Sequence, residues 1–265
     1  MKYLKIIKRY IPLVFQGLKL KDKLIIFSYF LFNAPINMLS KHKNHKLLGD
    51  VTVKSKDGIF FSGRNIFPVW AGSSFHEPEM RKYFNLDKGI FVDVGANIGK
   101  YTVIVGKALK NNGKVISFEP MPENFEILKK NIKLNKINNV FTFECGLGDK
   151  EEKLDLYLDE VGVGGGAHSL VKDNPNTTNN KIKITIRKLD NIVKELKLNR
   201  VDLIKIDVEG FESNVLIGAI DTLKKYHPKI IFEAWDKTYL NKVKNVLELF
   251  NYQIKKIAEE NYLAY

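Results

Sequence analysis

Residues 93–100 read DVGANIGK, directly after the apolar run IFV at 90–92. A run of apolar residues, a glycine turn and then helical spacing over 98–111 describe a strand that turns into a helix. Glycine in such a turn supplies positive φ. It also lets backbone approach a ligand at the carboxyl end of a strand.

The same unit recurs along the chain. Strand-like runs are IFVDVG (90–95), KVISFE (114–119), VFTFECG (140–146), VDLIKID (201–207) and KIIFEAW (229–235). Helical patterns cover 98–111, 122–135, 211–225 and 238–250. Short runs rich in Val, Ile and Phe, separated by helices, predict a parallel sheet covered on both faces. The fold class is therefore α/β, a Rossmann-like doubly wound sheet. KLDLYLD (153–159), a Gly-rich loop VGVGGGAHS (161–169) and IKITIRKL (182–189) interrupt that rhythm as an inserted antiparallel pair. YQIKKIAEENYLAY (252–265) reads as a closing β-hairpin around Glu259–Asn261. There are no internal repeats.

Upstream, the organisation changes, and residues 1–75 read as a basic N-terminal extension preceding a main domain at 76–265. Residues 1–50 hold ten Lys/Arg and two Asp, so +8 of the chain's formal +13 lies there. Apolar residues from Tyr3 to Leu18 follow helical spacing that Pro12 should bend or split. LIIFSYFLFNA (24–34) is too short for a bilayer span of about 20 apolar residues. A signal peptide is the competing reading, but the charged prelude is long and no small-x-small cleavage site follows Ala34. Residues 1–45 should be helical, packing on their own domain or a second subunit, or lying on an anionic membrane surface. Residues 49–62 read as a β-hairpin turning at Asp57-Gly58. A short helix is expected over 77–86.

Composition narrows the chemistry. Cys145 is the single cysteine, which excludes a disulfide framework and a cysteine-rich metal site and fits a reducing, cytoplasmic compartment. Only five of the 43 cations are arginine, a poor endowment for reading nucleic acid, so no specific nucleic-acid partner is expected.

The turn is D-x-G-x-x-x-G, not the G-x-G-x-x-G of a hydride-transfer cofactor. Asn97 replaces the middle glycine, and Asp93 would repel a phosphate but suit a cation. Glu119, with Pro120 behind it, ends the second strand twenty residues beyond Gly99, where a carboxylate can accept both ribose hydroxyls. A ligand with a ribose, no phosphate and a positive charge points to S-adenosylmethionine.

These segments, together with FHEPEMRKYF (75–84), VISFEPMPENFEILKKNIKLN (115–135), ECGLGDKEEKLDLY (144–157), RKLDNIV (187–193) and VDLIKIDVEGFESNVLIGA (201–219), resemble the FkbM family of class I methyltransferases. The resemblance runs over about 75–265. It implies a seven-stranded sheet whose last hairpin supplies an antiparallel strand. It also implies that Asp93, Gly95, Asn97 and Gly99 line the methionine end and Glu119 the ribose. Cys145-Gly146-Leu147 should lie by the adenine, where family members more often carry a small polar residue and alanine.

The acceptor should meet the methyl group above the ends of the fourth and fifth strands, near Asp207, Glu209 and Glu233, with His168 and Ser169 on a loop acting as lid. Each has a plainer reading. Asp207 and Glu209 can cap the following helix. Glu233 can pair with Lys205 or Lys237, and His168 can be an exposed loop residue. Glu77 and Glu79 flank a proline and either begin a helix or close over the methionine moiety. Asp207, Glu209 and Glu233 can also hold a divalent metal, the lesser expectation because no Asp-x-Asp motif is present. The leading function is an S-adenosylmethionine-dependent O-methyltransferase for a sugar, glycan or lipid-linked glycan hydroxyl, peripheral at the membrane, with a homo-oligomer as one option for its assembly. An RNA methyltransferase and a non-catalytic cofactor-binding scaffold are the alternatives.

Overall fold

A computed structural model describes residues 11–39, 45–159, 165–172, 174 and 176–265. Seven strands form the main sheet: β3 (Gly89–Val94), β4 (Gly113–Phe118), β5 (Val140–Phe143), β9 (Leu203–Ile206), β10 (Lys229–Glu233), β11 (Ile254–Lys256) and β12 (Asn261–Ala264). Their order is β11-β12-β10-β9-β3-β4-β5. The pairs β10–β9, β9–β3, β3–β4 and β4–β5 are parallel, whereas β12 runs antiparallel between β10 and β11. The expected doubly wound sheet with an antiparallel closing strand is what forms.

All six residues of β3 are buried. Its alternation divides them between two cores. Ile90, Val92 and Val94 meet α6 (Leu189–Glu195), α7 (Glu212–Ile217), α8 (Ile220–Tyr226) and α9 (Lys237–Glu248). Phe91 faces the other side, with Met80, Phe84 and the Tyr101, Val105 and Leu109 stripe of α4 (Lys100–Leu109). The order reverses between β3 and β9, the switch point where such sheets open a crevice at their carboxyl ends.

The extension does not stand apart from this sheet. Its hairpin, β1 (Lys46–Lys54) and β2 (Ile59–Asn65), shares a core with Leu13 and Ile26 on one side and Ile98, Val103 and Ile127 on the other. An exposed edge of β2 would carry unpaired backbone groups. Two asparagines of α5 (Pro122–Leu134) and its cap close that edge. Asn131 accepts from the Phe61 N–H at 2.7 Å and donates to the Phe61 carbonyl. Asn135 does the same for Ile59 at 2.9 and 2.7 Å. The helical reading of 1–45 holds over 11–15 and from Leu20 to Leu39, whereas residues 1–10 and 40–44 lie outside the described residues. Here α1 (Leu20–Ser28) widens into a π-turn at Tyr29–Asn33 and continues as α2 (Ala34–Leu39).

Several expected elements differ. The helix at 77–86 is only a 3₁₀ turn, Met80–Phe84, because Pro78 and the left-handed Glu77 (φ 44°) block an earlier start. The helix at 211–225 is two, α7 and α8. They part at Gly218, whose Cβ would meet the Gly148 carbonyl oxygen at 2.0 Å. The run at 140–146 ends as a main-sheet strand at Phe143. Gly146–Leu147 is β6, paired with β8 (Thr177–Arg187), which is antiparallel to β7 (Glu152–Asp159) as expected for the insert. Helices α6 and α3 (Ile66–Ala71) lack a long apolar period and were not foreseen. Residues 161–164 of the Gly-rich loop lie outside the described residues.

Candidate active site

A cavity of about 670 Å³ opens at the carboxyl ends of β3, β4, β9 and β10. Of the residues singled out in the sequence, Glu77, Gly95, Asn97, Glu119, Pro120, Cys145, Gly146, His168, Asp207, Glu209 and Glu233 line it. Asp93 and Gly99 are not among its lining residues. Asp93 is buried behind the wall, where its Oδ2 accepts from Thr102 Oγ1 at 2.6 Å. Gly99 caps α4 at φ +88°, and a Cβ there would strike Leu128 Cδ1 at 2.5 Å, so it serves helix packing.

Gly95 answers to a different constraint than ligand approach alone. At φ +81° its Cβ would lie 1.9 Å from the Asp207 carbonyl oxygen, where the β3 and β9 exits touch. Asp207 N–H in turn donates to the Val94 carbonyl at 3.0 Å. The glycine therefore holds the two halves of the site together.

Eight described non-glycine residues have positive φ. Lys136, Lys197, His227 and Asn251 follow helix ends, a common left-handed capping position, whereas Lys110 closes α4 at φ 48° and ψ −121°, outside the left-handed region. The other three, Glu77, Asn97 and Glu209, all line the cavity. Asparagine tolerates positive φ, but glutamate rarely adopts it, so Glu77 and Glu209 bring backbone strain to the site. Asn97 gains by it: its N–H donates to Glu119 Oε2 at 2.7 Å and its Nδ2 to the Gly165 carbonyl at 3.2 Å. Glu209 is held by the insert, since Ser169 Oγ donates to its carbonyl at 2.6 Å.

The Glu119 carboxylate accepts one backbone N–H on each oxygen, from Asn97 and from Met121 at 3.0 Å. Each oxygen keeps a lone pair for a ligand hydroxyl. Burial pushes its pKa up to about 7, against the pull of those two N–H groups. Asn97 Oδ1 is buried and has no partner in the structure. An acceptor pair for a ribose and an orphaned amide oxygen for an ammonium fit the sulfonium cofactor expected from the sequence. Burial raises the Cys145 thiol to about 12, so that wall is neutral.

At the end of β9, Lys205 Nζ donates to Asp207 Oδ2 at 2.7 Å, with the ammonium buried. Burial works against both charges. The pair nevertheless holds Asp207 below its ordinary value and Lys205 above, because each stabilises the other. Burial, and then the Asp207 charge, raises Glu233 to about 11 and Glu209 to about 9. Glu233, raised by burial and by the Asp207 charge, faces Asp207 as a donor toward the ionised carboxylate. The expected partnership of Glu233 with Lys205 or Lys237 gives way to this arrangement.

The capping alternative fails for Asp207 and Glu209. The helix begins at Glu212, whose own carboxylate accepts from the Val208 and Gly210 N–H groups at 3.2 and 3.1 Å. His168 is no exposed loop residue either: its side chain is 7% exposed, beside Asp159. Its Nδ1 accepts the Asp159 N–H at 3.1 Å, so the neutral ring carries its hydrogen on Nε2.

The extension supplies walls that sequence reasoning missed, His45, Phe67, Trp70 and Ala71, and His76 just beyond it adds another. Glu77, which was foreseen, is fixed by Tyr101 Oη at 2.6 Å and Asn261 Nδ2 at 3.3 Å. Burial and the neighbouring Lys100 hold His76 down at about 4, a neutral ring at pH 7. Only long-range packing brings these residues here, and the sole local signal was the FHEPEM run.

Residues 93–260, from the first turn of the crevice to the closing hairpin, match the family model of the methyltransferase FkbM domain. Methyltransferase 1 of Beauveria bassiana is 27% identical over 166 residues, 57% of this chain and 66% of that protein. Methyltransferase sdnD of Sordaria araneosa is 27% identical over 174 residues, 55% of this chain and 66% of that protein. The matched segments thus span just under two thirds of these relatives. The crystal structure of methyltransferase FkbM from Methylobacillus flagellatus covers 100% of this chain and 60% of its own, at 17% identity and a TM-score of 0.49. With more than half of its length on the family model, and with the sheet order and crevice described above, this chain belongs to the FkbM family of methyltransferases.

Proposed function

We propose that the protein is an S-adenosylmethionine-dependent O-methyltransferase acting on a hydroxyl of a sugar or glycan, including a lipid-linked one. The observation that carries this reading is one ionised carboxylate, Asp207, at the switch point of the cavity that also holds Glu119 and Asn97. S-adenosylmethionine supplies a methyl group made electrophilic by positive sulfur. Glu119 would hold the ribose, Asn97 and Gly95 the methionine end, and the Cys145–Leu147 edge the adenine.

An alcohol that gains a methyl group must lose its proton to a base within reach. Asp207 is the group ready to take it, since Glu209 and Glu233 are already protonated near neutral pH. Its low basicity is sufficient, because an oxygen bearing both a proton and a new methyl group is a strong acid. Lys205 and the Glu233 hydroxyl keep Asp207 ionised and aimed. His168 Nε2–H is a donor and fits as an anchor for an acceptor oxygen rather than as the base. The aromatic walls Phe67 and Trp70 give the acceptor an apolar shelf beside these polar groups.

Asp207, Glu209 and Glu233 place oxygens within 4.8 Å of one another. A divalent metal fits this set poorly. The buried Lys205 ammonium already bonds to Asp207, the central member of the set. We therefore assign the positive charge of this site to Lys205.

Methyl-labelled donor incubated with the protein and a host extract tests the reading. Label should enter the glycan or lipid-linked glycan fraction and resist EDTA. Label confined to RNA or protein overturns the acceptor class. Absent calorimetric binding of S-adenosylmethionine overturns the cofactor.

A further inference from the structure

We infer that the outer face of α1 and its π-turn is a docking surface for an anionic lipid bilayer. Leu20, Leu24, Phe27 and Leu31 are spaced four, three and four apart, so they share one helical face. They are 72%, 58%, 52% and 52% exposed, and Phe32 and Ile36 extend the patch at 59% and 60%. The opposite face carries Asp22, Ile26 and Tyr29, all buried. An inward carboxylate and an outward leucine stripe invert the usual order for a surface helix.

That inversion is built in. Asp22 Oδ2 accepts the Lys19 N–H at 2.8 Å, and Oδ1 accepts the Thr52 N–H of β1 at 3.4 Å. The helix is thereby clamped to the hairpin with its apolar stripe facing solvent. A patch of six large apolar side chains exceeds the scattered exposure of ordinary surfaces and marks an interaction site.

Charge selects the occupant. On the helical wheel Lys21 and Lys23 fall on either side of the stripe, and Lys19 precedes it. A second copy of this chain meeting the stripe across a two-fold axis would bring two such lysine collars together. A bilayer bearing anionic headgroups instead pairs with the lysines while the stripe enters the acyl boundary. Among the described residues no helix is long and apolar enough to cross a membrane, so the helix lies on the surface.

The stripe also leads to the cavity. Asn33 Nδ2 donates to the Lys46 carbonyl at 3.0 Å, next to His45 in the cavity wall. The His45 ring packs edgewise on Phe67, another wall residue, at 4.7 Å between centroids. Docking would thus bring the acceptor end of the cavity close to the lipid surface.

Flotation of the full chain with vesicles tests this without any reference to methyl transfer, so its result is independent of the proposed activity. The protein should float with vesicles of equal parts phosphatidylcholine and phosphatidylglycerol, and far less with phosphatidylcholine alone. Leu24→Ser/Phe27→Ser/Leu31→Ser should weaken partition on the order of 100-fold. Lys21→Glu/Lys23→Glu should weaken it at least tenfold, from roughly fivefold per lysine. The serine variant changes exposed side chains and the glutamate variant one exposed and one half-buried lysine, and unchanged circular dichroism confirms that both fold. No flotation of the wild type, equal flotation of the serine variant, or a salt-independent dimer that the serine variant abolishes would each overturn the inference.

Discussion

Asp207 and Lys205 lie two residues apart on one strand exit, yet burial makes them a single unit. The carboxylate offsets the burial of the ammonium, and the carboxylate stays ionised among acids because of the ammonium. Asp207→Asn should therefore do two separable things. Turnover should fall roughly 100- to 10,000-fold as the base is lost. Stability should also fall by about 3–5 kcal/mol, because Lys205 is left as a buried, unpaired charge. In Asp207→Asn/Lys205→Met most of the thermal stability should return while turnover does not, as thermal melting and a methyl-transfer assay would show. Recovery of activity in the double variant would remove Asp207 from the chemistry. Glu119 makes a second residue-scale prediction, through pH. Its pKa rises from an ordinary 4.5 to about 7 on folding, so the folded state holds a proton that the unfolded state has lost. Stability from this group is thus complete below about pH 4.5 and is lost as pH rises through about 7. The loss is at most about 3 kcal/mol. Glu119→Gln should flatten that part of the melting-temperature profile between pH 5 and 8 in the ligand-free protein.

Elements are where two asparagines replace a neighbouring strand. Asn131 and Asn135 present donor and acceptor one helical turn apart, and β2 offers them alternate residues of its edge, Phe61 and Ile59. Asn131 is fully buried and also donates to the Ile98 carbonyl at 2.8 Å, beside the first turn of the crevice. Asn131→Ala leaves buried backbone groups unpaired and should cost about 2–4 kcal/mol, with an unchanged urea m value. The main-sheet strands were legible because each is a short Val/Ile/Phe run with both faces buried, so local apolarity and final position agree. Glu119 and Asn97 were legible for a related reason: strand ends and first turns are local features. The walls from His45, Phe67 and Trp70 were not, because no period in 45–71 reports that this hairpin and its short helix fold back over the crevice.

At the scale of the whole molecule, the boundary drawn at residues 75/76 divides sequence patterns, yet packing runs across it. Phe60, Val51 and Val53 share a core with Ile98, Val103 and Ile127, and Arg81 bonds to Asp57 across the same line. Lys107 of α4 adds a hydrogen bond to the Asp57 carbonyl at 3.0 Å. A chain of 76–265 would keep the whole main sheet but expose the outer faces of α4 and α5, and Asn131 and Asn135 would lose their β2 partners. The cavity would lose His45, Phe67, Trp70 and Ala71 from its wall. Each fully buried Phe, Val or Ile stripped of its cover forfeits about 1.5–3 kcal/mol, and several such residues together approach the entire stability of a domain. Residues 76–265 produced alone should therefore aggregate or melt well below the full chain. If that fragment proves soluble and melts within a few degrees of the full protein, the extension is an accessory. The acceptor wall would then have to be sought within the sheet's own loops.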